Sequence, residues 1–192
     1  MNYVRTGAMA FAIALIAGAA VAAPLKLQPA SPQPSPKAGL DVRYAWEGNP
    51  PRKIQNLSKV DHLLKKAKAG PPLKGLDYRD TEDGDPVLTF GKAYNVAADI
   101  SGYIRFDSAG VYELETWSND GLEAWVGGQQ IGYVNGRQPC EANQRTEVEV
   151  PQAGWYPLKI KYFQKYGSSC LMMKWGKQGE RFTWTPNDVF GR

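Results

Sequence analysis

Ile100-Ser101-Gly102-Tyr103-Ile104-Arg105-Phe106 alternates strictly, with Ile100, Gly102, Ile104 and Phe106 pointing one way and Ser101, Tyr103 and Arg105 the other. Successive side chains of a strand face opposite sides of its sheet, so the stretch reads as a β-strand with one covered face. The same period continues on its C-terminal side. After Asp107-Ser108-Ala109-Gly110, the residues Tyr112, Leu114 and Thr116 alternate with Glu113, Glu115 and Trp117 until Ser118-Asn119-Asp120-Gly121 breaks the pattern. Leu122, Ala124 and Val126 then alternate with Glu123 and Trp125, and Gly127-Gly128 permits a tight hairpin into Gln129 to Val134. These runs are expected as consecutive hairpin strands. Farther on, Tyr156, Leu158, Ile160 and Tyr162 alternate with Lys159 and Lys161, and Leu171, Met173 and Trp175 repeat the period after Gly167-Ser168-Ser169. Short alternating runs divided by turn residues, in a chain rich in glycine and aromatics, predict an all-β antiparallel sandwich.

One segment has a different period. Val60, Leu63, Leu64 and Ala67 recur at helical spacing behind Ser58, read as the N-cap with Asp61 three residues later. A short amphipathic helix is expected there, with Lys59, Lys65, Lys66 and Lys68 on a solvated face.

The N-terminus sets the compartment. Arg5 precedes an apolar run from Ala8 to Ala20, and small residues follow at Ala20, Val21 and Ala22. The run is shorter than the roughly 20 residues a bilayer crossing needs. Residues 1–22 therefore read as a cleavable signal peptide, and the absence of a cysteine near the cut argues against a lipoprotein. Residues 23–38, with Pro24, Pro29, Pro32, Pro34 and Pro36, read as an extended proline-rich linker. Residues 39–192 have the length of one domain. The expected product is periplasmic or secreted, with no stable membrane insertion after cleavage.

Composition narrows the function classes. Cleavage removes Arg5 and no acidic residue, lowering the formal net charge from +4 to +3. The basic residues are scattered among acids without the dense stripe that phosphates require, which argues against a nucleic-acid partner. His62 is the sole histidine, so neither a Cys-His pair nor a histidine metal cluster is available. The acids Glu82, Asp83 and Asp85 sit in a Gly-Pro turn cluster and read as solvated loop charge, although glycoside chemistry needs paired carboxyl groups. No catalytic residue is assigned. Cys140 and Cys170, an even pair in an oxidising compartment, are expected to form a disulfide.

Four segments in order, Ile100 to Ile104, Gly110-Val111-Tyr112-Glu113-Leu114, Ser118 to Val126, and Ala153-Gly154-Trp155-Tyr156-Pro157-Leu158-Lys159-Ile160-Lys161-Tyr162, resemble the anthrax protective-antigen domain family. The likeness spans roughly Gly39 to Pro186 and is specific in its second half. It implies a β-sandwich of the type shared with yeast flocculins and fungal epithelial adhesins, and carbohydrate binding as its use. In the fungal lectin members, two adjacent aspartates joined by a cis peptide bind calcium, and the position here is Asn119-Asp120. A later loop of those members adds an asparagine, whereas Gln164-Lys165-Tyr166-Gly167-Ser168 has none and brings a lysine. The implied calcium site at Asn119 and Asp120 thus lacks one charge and one ligand.

Saccharide binding itself requires no cofactor, because a sugar ring stacks on an aromatic and its hydroxyls pair with amides and carboxylates. The candidate ligand-binding residues are Asn119, Asp120, Trp117, Trp125, Tyr166 and Ser168, with Asp120 expected as a solvated loop carboxylate. The expected partner is a polysaccharide or glycoconjugate. The alternative is an envelope protein as partner, or a structural domain with no sugar site.

Overall fold

A computed structural model describes residues 22–51 and 53–192. Apart from Ala22, the expected signal peptide lies outside these residues. The strands are β1 (Leu25–Lys26), β2 (Asp41–Trp46), β3 (Lys68–Ala69), β4 (Asp77–Tyr78), β5 (Val96–Phe106), β6 (Gly110–Asn119) and β7 (Leu122–Val126). They continue with β8 (Gln129–Val134), β9 (Glu141–Val150), β10 (Gly154–Gln164), β11 (Cys170–Lys177), β12 (Thr183–Trp184) and β13 (Phe190–Gly191). Two sheets form a sandwich. One runs β1-β9-β6-β11-β12 with β4 also on β11, and the other β3-β2-β5-β10-β7-β8 with β13 on β5. Among the described residues, only β1 and β9 pair in parallel.

The alternating residues face each other across the interior. Ile100, Ile104, Phe106, Leu158 and Ile160 from one sheet meet Leu114, Val148, Leu171 and Met173 from the other in one buried cluster. The expected run of consecutive hairpins is corrected. Of these strands β7 and β8 do form a hairpin, but β6 belongs to one sheet and β5 and β7 to the other. A period of two marks which side chains go inward, and it is the same whether the next strand pairs alongside or crosses the core. Ser118-Asn119-Asp120-Gly121 is consequently a corner between sheets.

The helix, α1 (Leu57–Leu64), is capped two residues earlier than expected. The Asn56 side-chain oxygen accepts the Lys59 N–H at 3.0 Å, and Ser58 lies inside the helix. Leu57 and Val60, with Leu63, Leu64 and Ala67 beside them, close over Ala45, Ile54, Ala97 and Phe163. Of these, Ala45, Ala97 and Phe163 are strand residues that alternate with the core-facing Tyr44, Val96, Ala98 and Tyr162, so α1 covers the outer face of its sheet.

The proline-rich stretch, expected as a free spacer, lies along the sandwich instead. Leu27 is buried in the main core, and its N–H donates to the Glu149 carbonyl at 2.9 Å. Gln28 N–H binds the Gly127 carbonyl at 2.8 Å, Ala30 N–H the Trp155 carbonyl at 2.9 Å, and Lys37 N–H the Arg192 carbonyl at 2.9 Å. A single buried leucine and scattered backbone bonds leave no periodic signal, which is why composition alone read this segment as linker. Truncating a buried leucine costs both transfer energy and a cavity. Leu27→Ala should therefore lower the stability measured by urea unfolding by about 2 to 4 kcal/mol. An unchanged midpoint would mean that the strap is detached in solution.

Candidate functional site

The corner between β6 and β7 is built from residues that hydrogen-bond across the sandwich edge. Asp120 N–H donates to the Phe163 carbonyl at 3.0 Å, and Phe163 N–H to the Gly121 carbonyl at 3.0 Å. The Tyr162 hydroxyl donates to the Asn119 carbonyl, and the Ser118 hydroxyl to the Asp120 carbonyl at 2.8 Å. The Asn119-Asp120 peptide is cis. At Gly121 a Cβ would lie 2.4 Å from the Phe163 ring and 2.6 Å from the Val134 carbonyl oxygen, so glycine is required by close approach.

Two loops rise beside this corner. The loop after β8 supplies Arg137, Gln138 and Pro139, and the loop between β10 and β11 supplies Tyr166, Gly167 and Ser168. Together with Asn119 and Asp120 they enclose a cleft of about 480 Å³. The Cys140–Cys170 disulfide ties the two loops. Cys170 stands opposite Asn119 in the β6–β11 ladder, so the tie sits at the corner itself. Gln138 Nε2 donates to the Ser118 carbonyl at 2.9 Å and to Asn143 Oδ1 at 2.8 Å. Gln164 Nε2 donates to the carbonyls of Tyr166 at 2.8 Å and Ser168 at 2.6 Å, shaping the other loop from within. Asn119 Nδ2 reaches Ser168 Oγ at 3.2 Å across the cleft. Tyr166 meets Tyr94 edge-on at 5.9 Å between ring centres, and the Tyr94 hydroxyl donates to Asp83 Oδ1 at 2.9 Å.

Asp120 is not the solvated carboxylate that the turn composition led us to expect, for its side chain is 4% exposed. Oδ2 accepts the Lys165 N–H at 2.8 Å, and Oδ1 faces Arg137 Nε at 4.0 Å. Burial pushes its carboxyl above the usual carboxylate range, opposed by the Lys165 N–H and by the Arg137 and Lys165 charges. Lys165 is displaced the other way. Burial, then repulsion from Arg137 and Lys53, pushes its ammonium below the usual lysine range, against the pull of Asp120.

Four sequence-predicted residues, Asn119, Asp120, Tyr166 and Ser168, come together in this cleft, and two do not. Trp117 packs on the outer face of its sheet, 5.6 Å from the Trp184 ring and under the Lys174 ammonium, with its indole N–H on Glu115 Oε1 at 2.8 Å. Trp125 is exposed and lines a separate groove of about 640 Å³ with Gln28, Pro29, Glu123 and Pro157. Sequence reading missed Arg137, Gln138 and Pro139. The usable signal was the cysteine pair, because a bridge from Cys140 to Cys170 brings the residues just before Cys140 to the loop just before Cys170.

The donor set does not fit calcium. That ion takes six to eight oxygen ligands and selects for negative charge. Here the one carboxylate of Asp120 is engaged by a backbone N–H and faced by two cations, Arg137 and, from the opposite loop, Lys165. Among the described residues, the grouping of acids and thiols closest to a metal cage is Asp80 with Cys140 and Cys170, whose sulfurs are bonded to each other.

A carboxyl group whose folded-state pKa is raised makes its full contribution to stability below its unfolded value, and loses it as pH rises through the folded value. The ordinary value for Asp120 is 3.8. Compared with Asp120→Asn, which keeps an acceptor for Lys165 N–H but carries no charge, the parent protein should gain stability as pH falls from 7 toward 4, read as thermal midpoints at each pH. A relative loss over that range would show that the cations, not burial, dominate the site. Asp120→Ala, which leaves the Lys165 amide without its acceptor, should cost about 1 to 3 kcal/mol.

Structural comparison finds solved structures of similar architecture. A PA14 sugar-binding domain from an RTX adhesin superposes with a TM-score of 0.66 at 16% identity, over 81% of this chain and 98% of that one. The PA14 domain of the antifreeze protein MpAFP gives 0.67 at 16% identity, over 85% and 95%. The A domain of epithelial adhesin 9 (Epa9A) from Candida glabrata, in complex with Galb1-3GlcNAc, gives 0.60 at 16% identity, over 88% and 95%. At such identities the likeness is one of fold. No curated protein matches the sequence. The family model of the PA14 domain matches residues 81–189, which hold the corner, both cleft loops and the disulfide, and the chain belongs to the PA14 domain family.

Proposed function

We propose that the protein is an exported, non-catalytic binding module whose loop-end cleft takes a saccharide unit of a polysaccharide or glycoconjugate. The observation that carries this reading is the convergence of Tyr166 with the Asn119 amide, the Ser168 hydroxyl and the charged groups of Asp120 and Arg137 in one concave site. A pyranose has an apolar face for an aromatic ring and hydroxyls for amides and hydroxyls. Asn119 and Ser168 together hold more donors and acceptors than the single bond between them uses. Support also comes from the relatives, one a sugar-binding domain and one holding Galb1-3GlcNAc. The signal-peptide pattern and the cysteine pair support export to the periplasm or the medium, and in this reading binding proceeds without a cofactor.

A second reading, docking of an envelope protein, is favoured by the groove around exposed Trp125. The two separate in one experiment. On a glycan array probed with the mature protein, the parent should retain a defined set of glycans, and Tyr166→Ala should weaken that binding by about tenfold, the worth of one aromatic contact. Trp125→Ala should leave it unchanged. Retention that survives Tyr166→Ala and vanishes with Trp125→Ala, or no retention of any glycan by the folded parent, would overturn the assignment.

A further inference from the structure

The charges around the cleft do not balance. Asp120 is the one acid among its lining residues, and its carboxylate is almost wholly covered and engaged by the Lys165 N–H. Two cations act on it, Arg137 and Lys165, and Lys165 is itself in electrostatic reach of Arg137 and of Lys53. Arg137 lines the cleft with its side chain 66% exposed, and its Nε is 4.0 Å from Asp120 Oδ1, outside direct hydrogen-bonding distance. The guanidinium therefore retains donors for a further acceptor, in the planar fork that carboxylates match. The Lys165 ammonium stands 5.7 Å above the Tyr166 ring, so positive charge and aromatic surface adjoin. Asp80, a neighbouring acid, lies beside the disulfide and is not among the lining residues.

From this arrangement, and resting on the saccharide reading above, we infer that the cleft takes the carboxylate of an acidic sugar, with Arg137 as its fork partner, Lys165 as supporting charge, and no metal between protein and ligand. The two cations occupy the electrostatic role that a calcium ion would otherwise fill: both offset Asp120, buried Lys165 from behind the lining and Arg137 from the cleft itself, where its charge faces the ligand. Placing a partly desolvated lysine beside an arginine is unfavourable in the empty protein. An arriving carboxylate relieves that repulsion, so binding energy is concentrated on anionic ligands.

The test is titration calorimetry of the mature protein with trigalacturonate and with its fully methyl-esterified, neutral counterpart, in EDTA and again in calcium. Trigalacturonate should bind about tenfold or more tightly than the ester, the worth of one charge-assisted hydrogen bond. Its affinity should be the same in EDTA as in calcium and should fall as sodium chloride is raised. Arg137→Ala, at an exposed position, should lose that preference at an unchanged thermal midpoint, and Arg137→Lys should restore part of it. Equal binding of acid and ester, an Arg137→Ala variant that keeps the preference, or binding abolished by EDTA would overturn the acidic-sugar inference and leave the saccharide reading standing. If neither ligand binds and the glycan array is also blank, both fall.

Discussion

The molecule depends on one constraint: the chain must turn from one sheet to the other at Ser118-Asn119-Asp120-Gly121 without leaving buried backbone groups unpaired. Ser118, Asn119, Asp120 and Gly121 are all buried. Their polar groups are satisfied by the end of β10, through Phe163 and Tyr162, and by the Lys165 N–H that the Asp120 side chain accepts. The same bonds that close the corner fix where β10 ends, and so where the loop carrying Tyr166 and Ser168 begins. The disulfide then brings the Arg137 loop to that place. A structural requirement of the sandwich thereby creates a rigid floor with two walls, which is where binding residues on a β scaffold gather.

Much of this was legible in the sequence, and what was not has physical reasons. The inward residues of β5, β6, β7, β10 and β11 followed directly from alternation, because a sheet with one covered face repeats every two residues. Which sheet each strand joins was not legible, since Leu122 and Ala124 look the same whether β7 pairs with β6 or crosses to β10. Strand β9 was missed because only Thr146, Val148 and Val150 of its ten residues are buried. The strap around Leu27 was missed because its hold on the sandwich is chiefly backbone bonding, which composition does not encode.

For the site, the family pattern led to Asn119 and Asp120, and loop position to Tyr166 and Ser168. It did not reveal that Asp120 is buried, because a turn sequence of Asn, Asp and Gly has the same composition at a solvated tip and at a covered corner. Nor did alternation help with Trp117 and Trp125. Both point away from the core as expected, yet one is covered by Trp184 and the other opens onto a different groove. Arg137 lies in a stretch with no period, where only the bridge at Cys140 locates it. The cleft is accordingly a product of tertiary closure, and its positive charge is a property of the assembled loops more than of any one of them.

The central claim, that the corner cleft is where ligand binds, is tested most directly by backbone amide shifts of the isotope-labelled protein titrated with a glycan retained on the array. The account predicts shifts concentrated at Asn119, Asp120, Arg137, Gln138 and Tyr166 to Ser168, with the groove around Trp125 silent. Shifts centred on Trp125, Gln28 and Glu123, with the corner unmoved, would contradict it.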